Sequence, residues 1–188
     1  GFILAAAQLN NLALTLSPLC LGLLFFYSLS KRFTHFTQFF LGLALGMAPI
    51  GATIAVSGKI TPSSLVLGLA VLLWVAGFDL LYSLQDLEFD RSSGLHSLAV
   101  RLGPHGSFSL ARGLHGIFLA TLALYGVLEN FTWIYWVGLV ISAGFLAYEH
   151  WTLRGGLKNL QAAFFTANGL LSLCFLAFVL ADLFFRFY

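Results

Sequence analysis

Charged residues are scarce in this sequence. Asp, Glu, Lys and Arg make up 9% of the 188 residues, whereas hydrophobic residues make up 60% and the mean hydropathy is +0.94. A soluble domain carries about 25% charged residues. This shortage leaves too little charge to cover a water-exposed surface and excludes an ordinary soluble domain. The net charge of +2 gives no indication of a nucleic-acid partner.

The sequence also has only two cysteines and no recognisable signal peptide. Cys20 and Cys174 each lie inside an apolar run, and no CxxC or Cys/His spacing is present. A disulfide or zinc site is therefore not predicted, and we expect both thiols to act as small buried hydrophobic groups. No charged segment or cleavage site precedes the first apolar run, so no signal peptide is predicted. The chain begins with Gly1 inside that run, and we expect it to be a piece of a longer protein.

Long apolar runs dominate what is present. A helix that spans a bilayer needs about 20 mostly apolar residues. The runs of this kind, the first of them partial, are 1–10, 12–29, 37–57, 62–85, 112–128, 131–152 and 161–185. The polar stretch 86–111 predicts the one long loop. The sequence thus predicts an all-α membrane protein, a multi-spanning transmembrane helical bundle of about seven helices.

The Lys and Arg residues are distributed unequally between the two sides of such a bundle. One side receives Lys31, Arg32, Arg91, Arg101, Arg112, Arg154 and Lys158, and the other receives Lys59 and Arg186. Short loops rich in Lys and Arg stay in the cytoplasm. We therefore expect the loops 30–36, 86–111 and 153–160 to be cytoplasmic.

Three aspartates follow one another at the cytoplasmic end of the 62–85 run. If one helix continues to Asp90, a rotation of about 100° per residue places Asp79, Asp86 and Asp90 within about 40° on one face, with Glu88 on the opposite face. Carboxylates in a spanning helix are costly and mark a functional candidate. Hard oxygen ligands without His or Cys beside them suit Mg²⁺ or Ca²⁺, and Mg²⁺ completes its shell with water and substrate phosphates.

Cations lie on the same predicted side. Arg91, His96 and Arg101 follow the aspartates, and Lys31 and Arg32 end the 12–29 run. A metal together with Lys and Arg is what a diphosphate requires. Other roles stay open: helix capping for Asp86 and Asp90, a salt bridge or hydrogen bond inside the bundle for Asp79, and membrane anchoring for Lys31 and Arg32. His96 and His105 are expected to be polar loop residues, and no site is predicted at His35, His115 and His150.

Two motifs in this sequence resemble those of the UbiA family of intramembrane aromatic prenyltransferases. The first is the DxxYxxxDxxxD stretch of Asp79, Tyr82, Asp86 and Asp90, followed by Arg101-Leu-Gly103. The second is the aromatic-xxx-Lys-Arg stretch of Tyr27, Lys31 and Arg32. The motifs stand in the family's order, two spans apart, and the resemblance covers essentially the whole chain. The sequence of residues 78–97 is most similar to the 4-hydroxybenzoate polyprenyltransferase-like branch of the family. That branch includes an enzyme of the futalosine route to menaquinone.

The resemblance implies a function and a set of site residues. It implies an Mg²⁺-dependent transfer of a polyprenyl group from polyprenyl diphosphate to an aromatic acceptor in ubiquinone or menaquinone biosynthesis, at the bacterial inner membrane. The implied metal ligands are Asp86 and Asp90, with Asp79 and the aromatic face of Tyr82 in the catalytic set. The implied diphosphate-binding residues are Lys31, Arg32, Arg91 and Tyr27.

This sequence also departs from the family pattern. The family has about nine spanning helices and a first aspartate motif, NxxxDxxxD, at the end of the second helix, and residues 1–188 contain no such motif. We therefore expect a single transmembrane prenyltransferase domain that corresponds to helices three to nine and is inactive alone.

Two other classes of protein remain alternatives. A transporter or channel would use the aspartates as an intramembrane ion site. A lipid enzyme of another kind, such as an alcohol phosphotransferase, would require a DGxxAR motif, which this sequence does not contain.

Overall fold

The computed structural model describes residues 1–153, 160 and 162–187, without the side chains of 162–164 and 187. All of the regular structure in these residues is helical. In chain order the elements are α1 (Phe2–Ala7), α2 (Asn11–Ser30), α3 (Thr37–Ser57), α4 (Pro62–Tyr82), a 3₁₀ turn (Ser83–Asp86), α5 (Leu87–Ser92), α6 (Leu98–Leu128), α7 (Trp133–Thr152), a π-helical turn (Ala162–Ala167) and α8 (Asn168–Phe187). They form two compact units, Gly1–Phe118 and Leu119–Tyr188.

Five helical segments are long and apolar enough to cross a membrane. They are Asn11–Ser30, Thr37–Ser57, Pro62–Ser92, Leu98–Leu128 and Phe165–Arg186. The all-helical membrane class predicted from the sequence is confirmed. The predicted runs 12–29 and 37–57 agree with α2 and α3 to within one residue at each end. Cys20 and Cys174 are free thiols, as expected.

Local signals in the sequence explain where α4 begins and α3 ends. The Thr61 side chain accepts a hydrogen bond from the Ser64 backbone, and the Ser64 side chain accepts one from the Thr61 backbone, which together form a capping box. Pro62 occupies the first helical position. Gly58 ends α3 in the left-handed conformation, with a φ of 67°. The connection between the two helices therefore needs four residues only, Gly58 to Thr61.

The predicted loop at 86–111 is wrong. Asp86 ends the 3₁₀ turn, α5 follows it, and α6 begins at Leu98, with the Ser97 side chain accepting from the Val100 backbone at 3.1 Å. Leu98 and Ala99 are buried against Leu80 and Leu84. The polar residues of this stretch leave an apolar face that the helix buries, so counting charge alone missed it.

The backbone breaks within α6 at Gly103. Its φ of 66° and ψ of 178° are non-helical, and Pro104 follows directly. A positive φ is open to glycine with little strain, and proline removes a backbone donor that the helix would otherwise need. These two residues separate the short start of α6, residues 98–102, from its longer remainder.

Helices α3 and α4 approach each other through glycine. A Cβ added at Gly42 would lie 2.5 Å from the Leu72 carbonyl oxygen, and one at Gly46 would lie 2.5 Å from the Gly68 carbonyl oxygen. The glycines at these two positions thus allow close helix packing.

In the second unit, a carboxylate caps α7. Asp182 is fully buried and accepts hydrogen bonds from the Thr132 backbone at 3.2 Å, the Thr132 hydroxyl at 2.7 Å and the Tyr135 backbone at 3.1 Å. These donors are the otherwise unpaired groups at the start of α7. Asp182 therefore joins α8 to α7 and has a structural role.

Replacing Gly42 by alanine should destabilise the first unit. The new Cβ would meet the Leu72 backbone, which a side-chain rotation cannot relieve, and overpacking of this kind costs about 1–3 kcal/mol. The matched control is Gly51→Ala in the same helix, where nothing lies within 4 Å of the added Cβ. Reversible unfolding in mixed detergent micelles measures both variants. Equal stability of the two variants would contradict the close approach.

Candidate functional site

The three aspartates lie on three successive pieces of helix. Asp79 is in the last turn of α4, Asp86 ends the 3₁₀ turn, and Asp90 is in α5. The assumption of one continuous α-helix to Asp90 is therefore wrong. A 3₁₀ turn rotates about 120° per residue instead of 100°, so its four residues turn Asp86 and Asp90 by roughly 80° relative to Asp79. The spacing from Asp86 to Asp90 is almost entirely α-helical and keeps the predicted near-alignment.

The central contact of the site is an ion pair. The Lys31 Nζ lies 3.2 Å from Asp90 Oδ2 and 3.4 Å from Asp90 Oδ1. The Asp90 side chain is 2% exposed, whereas that of Lys31 is 35% exposed. A buried carboxylate needs a compensating charge, and Lys31 supplies it from the C-terminal cap of α2 while its side chain stays partly exposed.

Further site residues gather around this pair. Asp79 interacts electrostatically with both Lys31 and Asp86, and Tyr27 interacts with Asp79. The structure thus brings together five of the predicted site residues: Tyr27, Lys31, Asp79, Asp86 and Asp90. The salt bridge of Lys31 is with Asp90, so the salt bridge or hydrogen bond left open for Asp79 stays an alternative.

The remaining predicted residues lie at the surface or are half-buried. Arg32, Arg91 and Glu88 are exposed, and Tyr82 is half-buried. Exposed guanidinium groups beside the cluster remain available to a ligand arriving from water. The proposed roles of Arg32, Arg91 and Tyr82 stay predictions, as does the turning away of Glu88 from a metal.

The corner between α2 and α3, residues 30–38, is fastened to the segment 83–97 at several points. The Lys31 carbonyl accepts from the His96 backbone at 2.9 Å, and His35 Nδ1 lies 3.3 Å from the Ser97 carbonyl oxygen. The His35 and His96 rings meet edge to face at 4.8 Å. Gln38 Nε2 donates to Ser83 Oγ at 3.4 Å. His35 and Gln38 were not singled out from the sequence, although a Gln inside an apolar run is a usable signal.

His115 also has a defined place. It is buried on α6, and its Nε2 lies 3.4 Å from the Trp74 carbonyl oxygen of α4. Gly77 provides the space, because a Cβ there would collide with the His115 ring. His115 thus packs α6 against α4. His150 lies near the end of α7, and the predicted loop 153–160 lies mostly outside the described residues.

The donor set of the cluster fits a hard cation. Within the part of the chain that the structure describes, no group of three or more His, Cys, Asp and Glu is arranged to hold a metal ion. Mg²⁺, however, commonly uses one or two carboxylates together with phosphate oxygens and water. Three carboxylates with a single ammonium among them leave an excess of negative charge, and all their donors are oxygens. The residues therefore fit Mg²⁺ bound jointly with a phosphate ligand.

The apolar spans and a charged cluster at one helix end define an integral membrane protein with a polar site. The sequence profile of the UbiA prenyltransferase family matches residues 1–179, and the chain belongs to this family. The fold agrees: the structure of a UbiA homolog from Aeropyrum pernix in its apo form matches with a TM-score of 0.85 and 29% identity, over 97% of this chain and 68% of that one.

Several named relatives share substantial sequence with the chain. A 4-hydroxybenzoate octaprenyltransferase of Alkalilimnicola ehrlichii is 32% identical over 92% of this chain and 59% of its own length. A protein of the same name from Nitrosococcus oceani is 35% identical over 77% of this chain and 53% of its own. A mitochondrial 4-hydroxybenzoate polyprenyltransferase of Arabidopsis thaliana is 35% identical over 76% of this chain and 35% of its own. The chain thus spans little more than half the length of these two bacterial relatives.

Replacing Lys31 by methionine should destabilise the first unit in buffer without divalent cations. The change leaves the buried Asp90 carboxylate without its partner, and we expect a loss of about 1–3 kcal/mol, less than for a fully buried pair because Lys31 is partly exposed. Unfolding in detergent micelles measures it, with exposed Lys59→Met as the control. The double variant Lys31→Met/Asp90→Asn should regain most of the loss. If Lys31→Met and Lys59→Met behave alike, the ion pair carries no stability.

Proposed function

We propose that the protein transfers a polyprenyl group from a polyprenyl diphosphate to an aromatic acceptor in quinone biosynthesis. The acceptor is 4-hydroxybenzoate or a related aromatic acid, and the product is a precursor of ubiquinone or menaquinone. The observation that carries this proposal is the Lys31–Asp90 pair with Asp79 and Asp86 around it, at the ends of membrane-spanning helices. The family match and the names of the relatives support it.

Asp86 and Asp90, with Asp79 behind them, are the residues that would hold Mg²⁺. When bound, the metal supplies positive charge that makes diphosphate a better leaving group. The chain's own cations act in the same direction. Lys31 is accessible while it contacts Asp90, and Arg32 and Arg91 are exposed on the same part of the first unit, so all three are suited to bind diphosphate oxygens.

The transfer itself requires little covalent chemistry from the protein. The bond between the prenyl C1 and the diphosphate oxygen breaks, and the diphosphate leaves with the electron pair. The electron-rich ring then forms a bond to C1 and loses a proton. The half-buried aromatic faces of Tyr82 and Tyr27 are suited to stabilise positive charge on the allyl group. The chain's residues thus bind, orient and neutralise charge.

The proposed location rests on the cations around the site. Lys31 and Arg32 follow the end of α2, and Arg91 lies in the last turn of α5, so we place the site at the cytoplasmic face of a bacterial inner membrane. A membrane site suits a polyprenyl chain, which is insoluble in water. The family membership does not favour the alternative of a transporter or channel.

The substitution Asp86→Asn tests this function most directly. It removes a metal-binding charge, and we expect prenyl transfer by the intact enzyme to fall by about 10²–10³ in kcat/KM. Glu88→Gln is the matched control, because Glu88 is an exposed carboxylate two residues away and should retain activity within a few-fold. The assay follows radiolabelled 4-hydroxybenzoate into lipid with and without Mg²⁺. Transfer that is insensitive to Asp86→Asn, or independent of divalent cations, would refute the assigned site.

Residues 1–188 alone should be inactive in the same assay. They contain a single aspartate motif, and a diphosphate beside three aspartates gathers more negative charge than one metal ion neutralises. Losing a whole metal site should cost more than the roughly 10²–10³ of a single electrostatic contact. The comparison is with the Alkalilimnicola ehrlichii relative, after circular dichroism has verified that residues 1–188 are helical in detergent. Comparable turnover by the two would show that one aspartate motif suffices.

A further inference from the structure

Gln38 is a fully buried amide next to the acidic segment. It lies in the first turn of α3 and is 1% exposed. Its Nε2 lies 3.4 Å from the Ser83 hydroxyl oxygen. That hydroxyl donates its own hydrogen to the Leu80 carbonyl at 2.8 Å. The Ser83 oxygen can therefore only accept from Gln38, which fixes the amide with its nitrogen toward Ser83.

The other end of the amide is poorly matched to its surroundings. Gln38 Oε1 is buried and has no hydrogen-bond partner among the described residues. A buried acceptor without a donor destabilises the folded state, and such a group in a native structure requires an explanation. A leucine of similar size would avoid that cost. The stability of the folded state therefore does not explain why Gln and not Leu occupies position 38. The hydrogen bond from Gln38 to Ser83 does explain it.

Ser83 is where the direction of the acidic segment is set. Regular α-helix ends at Tyr82, and the tighter 3₁₀ turn runs from Ser83 to Asp86. This turn determines how far Asp86 and Asp90 are rotated from Asp79. A 3₁₀ turn has poorer hydrogen-bond geometry than an α-helix and needs support from outside to persist. Gln38 supplies a contact to its first residue from a different helix.

The other fastenings of the α2–α3 corner act further along. Lys31 contacts Asp90 and the His96 backbone, and His35 contacts Ser97. These contacts hold the far end of the segment but leave its start at Ser83 unsupported. Gln38 is thus the buried contact of this corner at the position where the helix changes type.

We propose that Gln38 is a positioning residue for the metal and diphosphate site, which holds the Ser83–Asp86 turn and so sets the rotation of Asp86 and Asp90 relative to Asp79. The inference rests on the proposed function and adds a residue to it. Gln38 itself touches no reacting atom in this scheme. Its effect should therefore appear in the affinity for metal and diphosphate before it appears in the turnover number.

The test compares Gln38→Leu, Ser83→Ala and the double variant in the intact enzyme. We expect each single change to raise the Mg²⁺ concentration for half-maximal activity and the KM for polyprenyl diphosphate about five- to tenfold, with kcat changed less than threefold. The double variant should be no worse than either single variant, because both remove the same contact. The thermal midpoint of Gln38→Leu should be unchanged or higher. Additive losses, or a loss in kcat alone, would overturn the proposal.

Thr37→Val is the matched control. Thr37 is the neighbouring buried residue of the same helical turn, and its hydroxyl bonds to Ser30 at 3.2 Å and not to the acidic segment. It should leave the Mg²⁺ and diphosphate dependences within twofold of the unmodified protein. An equal rise in both dependences for Thr37→Val would mean that any disturbance of this turn suffices, and would overturn a specific role for Gln38.

A measurement independent of turnover separates this inference from the proposed function. Hydrogen exchange followed by mass spectrometry should show faster exchange of the amides of residues 84–90 in Gln38→Leu and in Ser83→Ala, and not in Thr37→Val. Titration with Mn²⁺, observed by electron paramagnetic resonance, should show weaker binding in the same two variants. If the unmodified protein transfers no prenyl group, the proposed function fails while these two readouts still test the positioning. Unchanged exchange and unchanged Mn²⁺ affinity would refute it.

Discussion

The pairing of Lys31 with Asp90 is the interaction on which the first unit depends. A carboxylate that is 2% exposed in a membrane protein is tolerated only with a compensating charge, and Lys31 brings that charge from another helix. The pair fixes the end of α2 against α5, and the contacts of His35, His96 and Gln38 follow from the same approach. Since the Lys31 side chain is partly exposed, the same cation that contacts Asp90 can also be approached by an anionic ligand. Structure and chemistry are thus coupled at one side chain.

Most spans and the composition of the site were predictable, because both rest on short-range patterns. Apolar runs of sufficient length gave α2, α3 and the start of α4, and the aspartate and Lys-Arg motifs gave Tyr27, Lys31, Asp79, Asp86 and Asp90. The stretch 86–111 was missed because its polar residues conceal a buried face formed by Leu98 and Ala99. Ser97, which caps the start of α6, was a signal for this helix in the sequence. A single serine, however, changes the mean hydropathy of the stretch very little.

What the sequence did not predict is three-dimensional in origin. The change from α to 3₁₀ helix at Ser83 depends on surroundings that include Gln38, which lies 45 residues away along the chain. Periodicity assumes one helix type and cannot detect such a change. Asp182 gives the opposite lesson: it is another aspartate inside an apolar run, yet its three hydrogen bonds to the start of α7 make it a cap. Partners, and not burial alone, separate a structural carboxylate from a chemical one.

The contact of α3 with α4 determines whether a hydrocarbon chain can pass between these two helices. At Gly42 and Gly46 the two backbones are so close that not even a methyl group fits between them. An isoprenoid tail is wider than a methyl group everywhere along its length. The seam between these helices is therefore closed to a hydrocarbon chain at the level of Gly42 and Gly46.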